Sequence, residues 1–134
     1  MRKTDSETFA HPAVPSFPAD RLLAYHVARE VVTEVARVSR GWRGRASLRA
    51  QALDAAESVV LNLGEGAAQP AGSGAKRRHY VIALGSADEV GAALDAAQAQ
   101  TLSPAAELDA VRVQVARCAA LVGGLVRSAT ARRR

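Results

Sequence analysis

The apolar positions of this chain fall into four helical stretches separated by short breaks, and none alternates with the period of two that marks a strand. The first stretch begins near Ser16-Phe17-Pro18, where Pro18 suits a first helical turn and Asp20 suits the positive end of a helix. It runs to about Ser39 on Leu22, Tyr25, Val27, Ala28, Val31, Val32, Val35, Ala36 and Val38. Arg40-Gly41-Trp42-Arg43-Gly44 interrupts the pattern and predicts a turn. The second helix is expected over about Ser47 to Glu65, on Leu48, Ala52, Ala55, Ala56, Val59, Val60 and Leu63. Gly66 to Gly74, with Pro70, Gly72 and Ser73, reads as a loop. The third helix follows from about Ala75 to Gln100. Ser103-Pro104 opens the fourth, which runs to about Ser128 on Leu108, Val111, Val115, Cys118, Val122 and Leu125.

These elements predict an all-α fold, and short connections make it an antiparallel up-down-up-down four-helix bundle. Residues 1–15 mix charges with Pro12 and Pro15 and read as a disordered arm; residues 16–128 form the bundle, and 129–134 form a basic tail.

Two helices carry more than one face suited to contact. On the third, Tyr80, Ala83, Leu84, Ala87, Val90 and Leu94 form one apolar face. Ile82, Gly85, Ser86, Ala93 and Ala96 form a second, small-residue face with Glu89 beside it. That second face suits close approach of another helix, although alanine chosen for helix propensity alone would look similar. On the second helix, Gln51, Ser58, Asn62 and Glu65 share one stripe without a lysine or arginine. A solvated face and a hydrogen-bonded network against a neighbouring helix both fit this stripe. Asn62 and Glu65 would then bond to the next helix, with Ser86 or Arg78 as partners.

The 134 residues carry a net charge of +5, which favours polyanionic partners. In the expected topology Lys76, Arg77 and Arg78 share one end with Arg132, Arg133 and Arg134. The opposite end gathers Arg37, Arg40, Arg43, Arg45 and Arg49 around Trp42. Cations in the first turn of the third helix oppose its dipole, a placement that suits a docked anion; a solvated charge run is the plainer alternative. Trp42 either stacks on a base or plugs the end of the core.

Signs of catalysis are weak. Gly72-Ser73-Gly74-Ala75-Lys76 lacks the spacing of a phosphate-binding loop and follows no strand. His11, His26 and His79 have no second ligand at helical spacing, so no metal or cofactor is expected. Ser86 lies mid-helix, where a nucleophile elbow cannot form, and adjacent Asp88 and Glu89 point in different directions. The lone Cys118 reads as a small buried hydrophobe in a reducing cytoplasm. No apolar run follows Arg2-Lys3 and no stretch is long enough to span a membrane, so neither a secretory signal nor a membrane partner is expected.

Two segments resemble a known family. Residues 51–66, QALDAAESVVLNLGEG, are similar to a segment reading Q-(I/L)-R-R-A-A-x-S-I-x-x-N-I-A-E-G. Residues 80–90, YVIALGSADEV, are similar to F-L-x-I-A-x-G-S-x-x-E-L. Both belong to the four helix bundle protein family. It includes proteins encoded in intervening sequences of ribosomal RNA genes and the accessory variability determinants of diversity-generating retroelements. The resemblance implies a cytoplasmic homopentameric ring without catalytic residues. For the retroelement branch it implies binding to RNA or DNA and to a reverse transcriptase. Leu53-Asp54 stands where the family pattern has a basic pair, which removes two positive charges from the second helix. Two functions follow as expectations: an oligomeric adaptor for nucleic acid, or a scaffold whose partners are proteins alone.

Overall fold

Leucine, alanine and valine at three- and four-residue spacings place four helices side by side. A computed structural model describes residues 15 to 131 in full and Arg132 as backbone. α1 spans Leu23–Ser39, α2 Ala46–Ala68, α3 Gly74–Ala99 and α4 Ala105–Arg132. Among the described residues there is no strand. Each helix packs on the next in sequence and α4 packs back on α1, closing a bundle in which α2 and α3 share the most extensive interface. Among the described residues no helix is long and apolar enough to cross a membrane.

The core is built from Val27, Val31, Val35 and Val38 of α1 together with Val59 and Leu63 of α2. Val90 and Leu94 of α3 and Leu108, Val111, Val115, Cys118 and Val122 of α4 complete it. Alanines fill the remaining space on α2 and α3. Burial pushes the Cys118 thiol up to about 11, so little thiolate forms at neutral pH and the residue serves as a small apolar side chain.

The helix ends differ from the sequence expectation in three places. The expected start of the first helix is a separate 3-10 turn, Pro18–Arg21, in which the Asp20 carboxylate accepts the Phe17 backbone N–H at 2.8 Å. The chain then extends at Leu22 (φ −95°, ψ 120°), which packs against the core, before α1 begins. α2 continues past Glu65 to Ala68, into the expected loop. α4 continues past Ser128 to Arg132, so the first part of the expected tail is helical: Ala129 is buried against the core, and the Thr130 hydroxyl donates to Val126 O. Most of the N-terminal arm, the Arg132 side chain, Arg133 and Arg134 lie outside the described residues.

Hydrogen bonds between connections show what lies beside what. Trp42 Nε1 donates to Ser103 Oγ at 2.9 Å, and Arg45 Nε donates to Gln100, joining the α1–α2 turn to the α3–α4 turn. At the other end Arg77 Nε, near the start of α3, donates to Thr130 Oγ1 near the end of α4 at 2.8 Å. α3 closes with Thr101 at φ 58°, and Leu102 N–H returns to Ala97 O at 3.0 Å.

Candidate nucleic-acid interface and helix seam

The cations expected to form a docking surface are engaged very differently at the two ends. Ser73 caps α3, its hydroxyl accepting the Lys76 backbone N–H at 3.1 Å. From that first turn the Lys76 ammonium reaches across to the last turn of α2. It donates to Gly66 O at 2.8 Å and Ala67 O at 3.4 Å, and it lies 5.3 Å from the centre of the Tyr80 ring. A cation that opposes the dipole of its own helix therefore complements the negative end of the neighbouring one. Its position is explained without a docked anion. Arg77 is half-buried and bonded to Thr130, while Arg78 is exposed.

At the opposite end Arg40 and Arg43 are exposed, and neither makes an ion pair among the described residues. Among the described residues Arg45 meets only the uncharged Gln100 side chain and Gly44 O. Arg37 is paired with Glu34 at 2.7 Å. The Arg49 Nε is enclosed without a hydrogen-bond partner among the described residues. Trp42 is only 3% exposed, and its indole N–H is taken by Ser103. Of the two readings of Trp42, the core plug is the one observed, and stacking on a base would require the ring to leave the core.

The polar stripe of α2 divides in two. Gln51 and Glu65 are exposed, whereas Ser58 and Asn62 are half-buried against α3. The Ser58 and Ser86 hydroxyls meet at 2.8 Å. Asn62 Nδ2 donates to Ser58 O at 2.9 Å and Ser58 Oγ at 3.2 Å, which leaves Oδ1 to accept from His79 Nδ1 at 3.0 Å. Glu65 Oε1 lies 3.4 Å from His79 Nε2, an ion pair whenever the imidazole carries both protons. The network exists, but the partner of Asn62 and Glu65 is His79, not Ser86 or Arg78. One turn along α2 from Ser58, the facing position on α3 has moved two turns back from Ser86 to His79. Replacing Asn62 with leucine should cost at least about 1 kcal/mol in a thermal or urea melt, because the half-buried Ser58 and His79 lose a hydrogen-bond partner. An unchanged midpoint would mean that the network contributes nothing to stability.

The small-residue face of α3 is divided in the same way. Ser86 and Ala93 are buried within the chain, Ala96 is half-buried, and Gly85, Glu89 and Ile82 remain exposed. Ile82 is 44% exposed, and Leu61 of α2 is 63% exposed. Among the described residues no three histidine, cysteine, aspartate or glutamate side chains form a cluster fit for a metal ion.

A comparison with curated proteins finds none that matches. A family model described as "23S rRNA-intervening sequence protein" matches residues 20–124, nearly the whole of the four-helix region. The segments 51–66 and 80–90 that carry the resemblance lie inside that match and supply both sides of the Ser58–Ser86 contact. The chain therefore belongs to the 23S rRNA-intervening sequence protein family.

Proposed function

We propose that this protein is a non-catalytic, cytoplasmic adaptor that binds RNA or DNA through the basic ends of an antiparallel up-down-up-down bundle. It assembles with copies of itself, as a pentameric ring, and a reverse transcriptase is the candidate protein partner. The observation that carries the binding reading is the location of the charge. Arg40, Arg43 and Arg45 crowd one end and Lys76, Arg77 and Arg78 the other, on a chain of net charge +5. The reversed pairing order along the helices supports the topology: Ser58 meets Ser86, then Asn62 meets His79, then Gly66 meets Lys76. A ring would repeat each cationic end on one surface, and multivalent display strengthens weak sites without new contacts.

Exposed Leu61, Ile82 and Val113 favour a second reading, a scaffold that meets only proteins. Fluorescence anisotropy with labelled RNA and DNA over a salt series separates the two. The adaptor reading expects log K to fall with log salt at nearly one unit per phosphate contact, about 0.9 on duplex DNA. No binding at low salt would leave the scaffold. Light scattering after size exclusion should give a multiple of the 14.0 kDa chain mass. A monomer at micromolar concentration would overturn the ring.

A further inference from the structure

The two ends are not equivalent, and we infer that the nucleic-acid backbone docks on the arginine turn between α1 and α2, not on the Lys76 end. The inference rests on the polyanion-binding reading above and specifies its surface.

Residues 35–53 carry Arg37, Arg40, Arg43, Arg45 and Arg49 and no acidic residue. The connection that faces them, residues 96–106, carries no charged residue at all. Trp42–Ser103 and Arg45–Gln100 bind these two segments into one surface. Among the described residues, Arg37 is the one of its five guanidinium groups that is matched by a carboxylate. The cations at this end therefore outnumber the carboxylates, and the two acidic groups that act there, Glu34 and Glu107, both act on Arg37. The other end holds Asp20 and Glu65 among its cations. There the Lys76 ammonium is tied to the carbonyls of α2 and Arg77 to α4, so both must give up a partner before meeting a phosphate.

The turn is also held in shape. Trp42 is anchored in the core, and its backbone N–H returns to Ser39 O at 3.1 Å. Arg43 N–H reaches Gly41 O at 2.9 Å, and Arg45 N–H reaches Trp42 O at 3.2 Å. Gly44 adopts φ +74°, a left-handed conformation that lets the chain reverse between Arg43 and Arg45. Only the arginine side chains need ordering on contact, which limits the entropic cost of binding. Several unneutralised guanidinium groups on one rigid turn suit successive phosphates of a nucleic-acid strand. With Trp42 inside the core, contact is with the backbone and tolerant of sequence.

The test uses the full chain and a short labelled RNA of mixed sequence, with phosphatidylserine vesicles as the competing anionic surface. Two variants are compared with wild type: Arg40→Glu with Arg43→Glu, both exposed and unbonded, and Arg77→Glu with Arg78→Glu at the opposite end. Circular dichroism establishes that each is folded. The turn variant should lose roughly tenfold or more in affinity, and its salt slope should shallow by about two contacts; the opposite-end variant should stay within about twofold of wild type. The inference is overturned if the turn variant binds as wild type does, or if the opposite-end variant suffers the larger loss. Capture by vesicles in preference to RNA overturns it as well. If wild type itself ignores RNA, the adaptor reading fails and this surface fails with it.

Discussion

Replacing Trp42 with alanine should destabilise the protein by about 3–5 kcal/mol, the usual range for emptying a buried tryptophan site. For a domain of this size that corresponds to a melting temperature lower by roughly 10–20 °C. The loss has two separable parts. The ring fills the end of the core where the α1–α2 and α3–α4 connections meet, and its N–H is the hydrogen bond between them. Trp42→Phe keeps most of the volume and removes the donor, so it should cost about 1 kcal/mol beyond any repacking. Ser103→Ala should cost a similar amount, and the double variant little more than either alone, because both remove one bond. If Trp42→Ala melts within a degree or two of wild type, the ring is not a core residue in solution.

Gly66→Val should cost about 1–3 kcal/mol or more through overpacking. A Cβ at this position would lie 2.7 Å from Tyr80 Cε1, 2.8 Å from Cδ1 and 3.2 Å from the His79 Cβ. Tyr80 is buried and has the Lys76 ammonium over its ring, so it cannot swing aside without disturbing the contact that ends α2. Gly85→Ala is the control. Its Cβ would meet nothing within 4 Å, and it replaces an exposed mid-helix glycine. That change should stabilise by up to about 1 kcal/mol. The two glycines should therefore shift the melting temperature in opposite directions, and equal shifts would show that the α2–α3 spacing is looser than described.

The four helices were legible because each carries an unbroken run of apolar residues at helical spacing, and that signal survives without tertiary information. What depends on the position of a second helix was not. Leu22 lies on the apolar stripe of α1, yet it is extended, because its side chain meets the core from a separate 3-10 turn. Ala129 to Arg132 offer no apolar period, but Ala129 finds the core and Thr130 finds Arg77, so α4 persists. Lys76 reads as a badly placed cation until the end of α2 is seen beside it. In the sequence alone His79 stands out only as a candidate metal ligand. Its role as the partner of Asn62 and Glu65 depends on the register between two helices, which the spacing within either one does not specify. Trp42 could be narrowed to two readings, and burial decided between them.

The prevalence of alanine on the buried faces of α2 and α3 has a consequence for how this chain can change over generations. Ala52, Ala55 and Ala56 on one helix and Ala83, Ala87, Ala93 and Ala97 on the other are all buried. The commonest way for a point mutation to weaken a protein is to delete side-chain atoms from its interior, and at these seven positions there is almost nothing to delete. Enlargement is the hazard instead, since added methyl groups meet a close-packed wall. Substitution here is asymmetric: shrinking to glycine costs about 1 kcal/mol of helix propensity, while each step to valine or leucine forces packed helices apart. The exposed arginines and the outer apolar side chains are under no such restraint, so binding surfaces can diverge among descendants while the spacing of α2 and α3 stays fixed.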